Sequence, residues 1–204
     1  MYRLSFLLLL FFGHIVAQDS TTIKKILLFQ EELNKEFASE EKSPLTPKDL
    51  KTFKELDFFD IDTTYSILAK FVRTPYETPF IMKTTTNREP VYVKYGEAHF
   101  VLQEKEWILN IYQNQGLKTQ AEYEDYLFLP FTDLTNGETS YGGGRFMDLK
   151  IPEGEEILID FNTAYNPYCA YSERYSCPIP PEENHLEIKI PVGVKKYNKH
   201  EANR

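Results

Sequence analysis

The sequence predicts a mainly β domain, a single antiparallel barrel or sandwich covered by an N-terminal amphipathic helix and a short second helix. Two observations carry this. From Tyr65 onward, apolar residues recur at every second position in short runs, with no helical stretch between them to carry parallel crossovers. Before Tyr65 the apolar spacing is that of a helix instead.

The chain opens with a leader. Arg3 supplies a basic start, Leu4 to Val16 an apolar run, and Ile15-Val-Ala17 a plausible cut site. The run falls short of the ~20 residues that a membrane-spanning helix needs, so an uncleaved anchor is the weaker alternative. No cysteine follows directly, which argues against lipid anchoring. The expectation is a signal peptide over 1–17, export to the periplasm or outside the cell, and no membrane span once the leader is removed. Residues 18–194 then form one β-rich domain, and 195–204 a polar tail that frays.

Thr21 to Lys42 reads as the amphipathic helix, with Ile23, Ile26, Leu27, Leu33 and Phe37 on one stripe and Pro44 beyond its end. Thr46, Pro47 and Asp49 spell an N-cap, a first-turn proline and a capping box for the second helix. Leu50, Phe53 and Leu56 follow on one face. Both helices are expected to cover the sheet.

The strands come next. Tyr65, Ile67, Ala69 and Phe71 alternate with Ser66, Leu68, Lys70 and Val72. Val91–Tyr95 and Ala98–Leu102 read as two strands joined at a Gly96-Glu97 hairpin. Trp107–Ile111, Tyr126–Phe131, Phe146–Leu149, Glu156–Phe161 and Leu186–Val192 complete the series.

Composition excludes some functions. Lys and Arg number 23 against 31 Asp and Glu, for a net charge of −8, one unit more negative without Arg3. That balance opposes binding to nucleic-acid phosphates or anionic lipid. Tyrosine, at 14 residues, nearly matches phenylalanine at 15. Its ring buries while its hydroxyl stays bonded, which suits half-wet sheets and clefts alike.

Two connections are too long to be turns. Thr132–Arg145 carries Asp133, Asn136-Gly137 and the glycines 142–144; Asn162–Asn184 carries both cysteines and four tyrosines. Loops of this length inside a domain are commonly functional. The glycines are not a phosphate loop, because no Gly-Lys-Ser/Thr feeds a helix. They permit positive φ or close backbone approach instead, presenting Tyr141 and Arg145. Arg145 either clamps an anionic group or forms a buried ion pair with Asp160 or Asp148.

Cys169 and Cys177, in an exported chain, read first as a disulfide worth roughly 2–3 kcal/mol. A metal site with His185, or a catalytic Cys–His pair, is the alternative; the spacing is poor for zinc, and no metal or cofactor is expected. Asp160, at a strand end, is a candidate acid, base or ligand contact, or braces the loop through backbone amides as Asn162, Asn166 and Asn184 can. Tyr165, Tyr168, Tyr171 and Tyr175 stack on sugars, line a cleft or roof the core. No Ser-His-Asp arrangement is evident.

Several of these motifs together resemble a known family. They are Tyr141-Gly-Gly-Gly-Arg145, Asp160-Phe-Asn-Thr-Ala-Tyr-Asn-Pro167, Cys169-Ala-Tyr171, Cys177-Pro-Ile-Pro-Pro181 with Glu183-Asn184, and the upstream Phe128-Leu-Pro-Phe-Thr-Asp133-Leu-Thr-Asn-Gly137. The chain is similar, from about Phe29 to Val194, to an uncharacterised bacterial domain-of-unknown-function family, number sixteen eighty-four. The resemblance implies no activity, substrate or cofactor.

The leading expectation is an exported binding or accessory module whose site lies between the Tyr141–Arg145 and Asn162–Asn184 loops. Tyr141, Arg145, Asp160, Asn162, Tyr165, Asn166, Tyr171 and Asn184 are its candidate contacts, and a small polar ligand, a glycan or an envelope protein its candidate partner. The rival is a carboxylate-dependent hydrolase using Asp160 with Asp133 or Glu182.

Overall fold

The computed structural model describes residues 6–198. Within it the period-two runs become β1 (Ser66–Arg73), β2 (Phe80–Ile81), β3 (Val91–Leu102), β4 (Lys105–Asn114), β5 (Tyr126–Asp133), β6 (Arg145–Lys150), β7 (Glu156–Asp160) and β8 (His185–Leu186). They form one sheet in the order β6-β5-β4-β3-β1-β7, with β2 added to β3 and β8 to β5. The sheet is mainly antiparallel and curls into a half-barrel, as the alternation predicts. Its edge strand β6 is tied to the chain leaving β7 by a bridge in which Phe146 and Tyr165 exchange backbone hydrogen bonds of 2.9 and 3.0 Å.

One face of the alternation fills the half-barrel. Ala69, Ala98, Leu109, Ile111, Leu127, Leu129, Phe131 and Ile159 pack there with almost no exposure. The other face of β3–β6 is not left to solvent along its length. Tyr92, Tyr112, Phe128 and Phe146 form a second cluster, roofed by Cys177 and Tyr175 of the long loop.

The strand bounds differ from expectation in two places. No hairpin occurs at Gly96-Glu97: β3 runs through as a 12-residue strand, with a bulge at Tyr95. Gly96 is there because β1 lies against it; a Cβ would meet the Phe71 ring at 2.5 Å and Val72 O at 2.8 Å. The bulge also reverses the phase, so Tyr92 faces the second cluster while Ala98 faces the barrel core. The true turn is Gln103-Glu104, both at positive φ (53° and 61°), a conformation that Asn-Gly would have advertised and Gln-Glu does not.

The expected strand over Leu186–Val192 is reduced to β8, two residues paired in parallel with β5. Ile190 and Val192 still join the barrel core, and Val194 is buried. Their backbone finds other partners, as described below.

At the N-terminus, α1 (Phe6–Ala38) is one 33-residue helix that runs through the expected cut after Ala17. Residues 1–5 of the expected leader lie outside the described residues, and no helix among the described residues is long and apolar enough to cross a membrane. Ile26 and Phe37 are its buried anchors; Leu27 turns outward. The helix stops at Ala38 rather than Lys42 because the Ser39 hydroxyl accepts the Glu41 and Lys42 amides, each at 3.3 Å. The second helix, α2 (Pro47–Leu50), is a single turn capped by Thr46, whose hydroxyl oxygen accepts the Asp49 amide at 3.2 Å and donates to Asp49 Oδ2 at 2.8 Å. The tail is held beyond Lys195, whose amide donates to Asp57 O at 2.8 Å, and Tyr197 packs on Tyr171. Residues 199–204 lie outside the described residues.

Candidate functional site

The roofed face of β6 opens into a recess of about 400 Å³. Its floor is β6, through Phe146 and Asp148; one wall is α1, through Phe29, Glu32 and Glu36; the other is the long loop, through Tyr165, Tyr168, Tyr175 and Cys177. Asp148 alternates with the core residue Met147, so strand geometry alone aims it outward into this space.

Asp148 is the best-connected group there. Its Oδ1 accepts the hydroxyls of Tyr126 and Tyr165, both at 2.7 Å. Solvent reaches the carboxylate through the recess mouth, yet protein surrounds it on the remaining sides. Burial raises its pKa above the ordinary aspartate value; the two phenol hydrogen bonds pull it down, and Glu36 pushes it up again. Burial likewise raises the Tyr165 phenol well above its usual value, with the Asp148 charge adding to the effect. Across the recess, Tyr168 donates its hydroxyl to Glu36 Oε1. Both phenols therefore stay protonated at neutral pH and point their hydrogens at carboxylates.

The two long loops do lie side by side, as expected. The Tyr141 hydroxyl sits 3.8 Å from Cys169 Sγ, and a Cβ on Gly144 would meet Pro180 Cγ at 2.7 Å. Of the three consecutive glycines, only Gly144 has positive φ, at 89°, where a Cβ would also strike Phe131 O at 2.7 Å. The recess, however, is displaced from the crevice between these loops. It is bounded by β6, the long loop and α1.

Of the expected contacts, only Tyr165 lines the recess, and Tyr141 lies in the neighbouring layer against Cys169. Arg145 is fully buried and is not a ligand clamp. Its Nη2 meets Asp133 Oδ2 at 2.7 Å and Ile190 O at 2.8 Å, and Nη1 donates to Val192 O. Asp133 Oδ1 accepts the Ile190 amide at 3.2 Å. The buried pair thus replaces the ladder that Leu186–Val192 was expected to form, and its partner is Asp133 rather than Asp160 or Asp148. Neither ion has any side-chain exposure, so Asp133 is not available as an acid or base.

Asp160 caps a 3₁₀ turn (161–163), its Oδ1 accepting the Asn162 amide at 3.0 Å and Asn162 Nδ2 at 2.8 Å. Asn162 in turn latches Asp62, accepting its N–H at 3.0 Å and donating to its carbonyl at 2.9 Å. Asn166 donates to Lys195 O at 2.8 Å and to the Tyr171 hydroxyl at 3.2 Å; its Oδ1 is buried without a protein partner. Tyr171 is buried edge-on against Phe37 at 4.7 Å between ring centres. Glu182 is exposed on a separate 3₁₀ turn (182–184). Asp160, Asn162 and Asn166 thus have bracing roles.

Asn184 braces the sheet itself. Extending the Tyr112–Phe128 register places Asn110 opposite Pro130, which has no N–H for the ladder. Asn184 accepts the Asn110 amide at 2.8 Å and donates Nδ2 to Asn110 O at 2.8 Å and Pro130 O at 2.7 Å. Its side-chain amide serves as the missing peptide.

The expected disulfide is not formed; Cys169 and Cys177 are free thiols placed together. The Cys169 amide donates to Cys177 Sγ at 3.1 Å. Hydrogen bonding from the Cys177 thiol, aided by Tyr141, lowers the Cys169 pKa to about 6, whereas the same interaction and burial push the Cys177 thiol up. His185 is engaged elsewhere, its Nδ1 2.9 Å from Thr132 Oγ1, and no cluster of metal-ligating side chains occurs among the described residues.

Sequence reasoning missed Asp148, Tyr126, Glu32 and Glu36 as site residues. The first two sit on alternating strand positions and the others on the polar side of a helix, so each resembles a solvated face. Only the crossing of α1 and the long loop over β6 turns them inward.

A family model described as "Protein of unknown function (DUF1684)" matches residues 51–195. The match begins after α1, which supplies one wall of the recess. Among solved structures, the chain is similar to the solution NMR structure of the uncharacterized protein from gene locus rrnAC0354 of Haloarcula marismortui. The identity is 31%, the TM-score 0.69, and the similarity covers 88% of this chain and 96% of that one. No curated protein matches the chain.

Proposed function

The chain belongs to the DUF1684 family, whose description assigns no function, and from the geometry of its recess we propose that it is an exported binding module for a small ligand carrying a positively charged amine. One observation carries the reading. The carboxylates of Glu32, Glu36 and Asp148 and five aromatic rings line one recess, and no Lys, Arg or His does.

The physics of each part points the same way. An ammonium group between aromatic faces gains about 0.5–2 kcal/mol per favourable ring. Partial burial raises the worth of a carboxylate as its partner, because fewer waters screen the pair. A neutral glycan would also stack on these rings, yet it would leave the carboxylates without a counter-charge. The hydrolytic alternative loses Asp133 to Arg145. Two of the carboxylates that do face the recess, Asp148 and Glu36, already accept hydrogen bonds from phenols, an arrangement suited to holding charge.

Export is part of the proposal and rests on the leader character of Met1–Ala17. A cut after Ala17 would leave Phe29, Glu32 and Glu36 on α1. Calorimetric titration tests the binding reading: phenethylamine is expected to bind and phenethyl alcohol, its neutral match, to bind at least tenfold more weakly. Asp148→Asn should erase that preference. Equal binding of the two compounds, or a preference that survives Asp148→Asn, would rule the reading out.

A further inference from the structure

We propose that Cys169 and Cys177 form a thiol–disulfide exchange site beside the recess, in which Cys169 attacks an incoming disulfide and Cys177 resolves the product. The inference does not depend on what the recess binds. It begins from an asymmetry between two neighbouring thiols. Cys169 is half-buried and reachable, on a short 3₁₀ turn (168–170) that follows Pro167. Cys177 is 5% exposed and fixed from both sides: its amide donates to Thr85 Oγ1 at 3.1 Å, and its carbonyl accepts the Thr85 amide at 2.9 Å.

The surroundings of the two sulfurs match these roles. Cys169 Sγ lies beside the Cys177 thiol and 3.8 Å from the Tyr141 hydroxyl, and hydrogen bonds from these two groups favour its thiolate. At neutral pH it is therefore largely the nucleophilic form, while Cys177 keeps its proton. The Cys169 N–H aimed at Cys177 Sγ holds the second sulfur close to the first.

The loop does not need a covalent brace. Arg174 donates to Ser43 O at 2.9 Å and the Ser172 amide to Tyr168 O at 3.1 Å, so the segment between the cysteines is already tied down, and just beyond it the Ile179 amide donates to Lys83 O at 2.8 Å. A reduced pair with one reachable, activated sulfur is what exchange chemistry requires.

The step balances with a small organic disulfide as oxidant. The Cys169 thiolate attacks one sulfur of the disulfide, forming a mixed disulfide and releasing the other half as a thiolate. Cys177 then loses its proton to water or buffer and attacks Cys169 Sγ. The Cys169–Cys177 bond forms, and the second half leaves as a thiolate. The protein is oxidised by two electrons and the disulfide reduced to two thiols.

The test uses the full reduced chain with hydroxyethyl disulfide, acid quenching and intact mass measurement. The wild type should finish two hydrogens lighter than the reduced chain, without an adduct, and peptide mapping at early times should find the transient adduct on Cys169. Cys177→Ser should retain one adduct on Cys169, and Cys169→Ser should react at least tenfold more slowly. The rate of first adduct formation on the wild type should level off above neutrality, with its half-maximum near pH 6, and Tyr141→Phe should move that midpoint upward. A first adduct on Cys177, a stable adduct on the wild type, or a rate still climbing near the ordinary thiol pKa of ~8.5 would overturn the proposal. Early-time mapping on the wild type decides the point even if a variant misfolds, and none of these readouts involves the amine-binding experiment.

Discussion

The hydroxyl of Tyr165 donates to Asp148 Oδ1 at 2.7 Å across 17 residues of chain, and this contact joins the long loop to the floor of the recess. The same tyrosine is bonded through its backbone to Phe146, two residues before Asp148. Side chain and main chain together therefore set the carboxylate's orientation, and Tyr126 completes it from the neighbouring strand. A carboxylate held by two phenols on one oxygen keeps the other oxygen for a ligand.

The Asp148 contact has a pH signature. Its carboxyl pKa is raised by burial, so the folded chain holds the proton more tightly than the unfolded chain. The resulting stability is fully present below the unfolded value of ~4 and is lost as pH rises through the folded value. Asp148→Asn, which can still accept both phenols, should accordingly raise the melting temperature at pH 7 relative to wild type and give no such gain at pH 3. Amine binding should fall away as pH drops through the raised pKa, sooner than an ordinary aspartate would allow.

The Arg145–Asp133 pair should behave as a unit. Removing either partner leaves a buried charge unpaired and should cost roughly 3–5 kcal/mol in denaturant melts. The double replacement should cost less than the two single ones added together. The larger effect should show as loosened packing of Ile190 and Val192, whose carbonyls depend on the guanidinium.

Asn184→Ala should damage the sheet at one point. It orphans the Asn110 N–H and C=O, and each buried group left unpaired costs about 1–3 kcal/mol. Amide hydrogen exchange is the direct readout: protection of Asn110 should collapse while that of Leu109 and Ile111 persists. Uniform loss of protection would mean that Asn184 has a wider role.

Much of the fold was legible from residue order. The alternation of Ala69, Phe71, Ala98, Phe100, Leu109 and Ile111 is the barrel core, and Thr46-Pro47 does open α2. Misplaced features share a physical cause. Gly96 looked like a turn because glycine has two uses, and here it admits the Phe71 ring; the real turn, Gln103-Glu104, carries no turn residue. Ile190 and Val192 looked like strand residues because burial patterns do not say who takes the backbone hydrogen bonds. The concentration of tyrosines in Asn162–Asn184 pointed to a loop that does wall the recess. It could not separate Tyr165, which faces the recess, from Tyr171, which faces Phe37, because both are tyrosines in one irregular segment.

Aromatic-region NMR titration of the full chain tests the central claim most directly, since it asks where a cation goes rather than whether one binds. With phenethylamine, the ring resonances of Phe146, Tyr165, Tyr168 and Tyr175 should shift together and saturate, while those of barrel-core Phe100 and Phe131 stay fixed. Shifts that are matched by phenethyl alcohol, or that spread over residues remote from Asp148, would contradict the account.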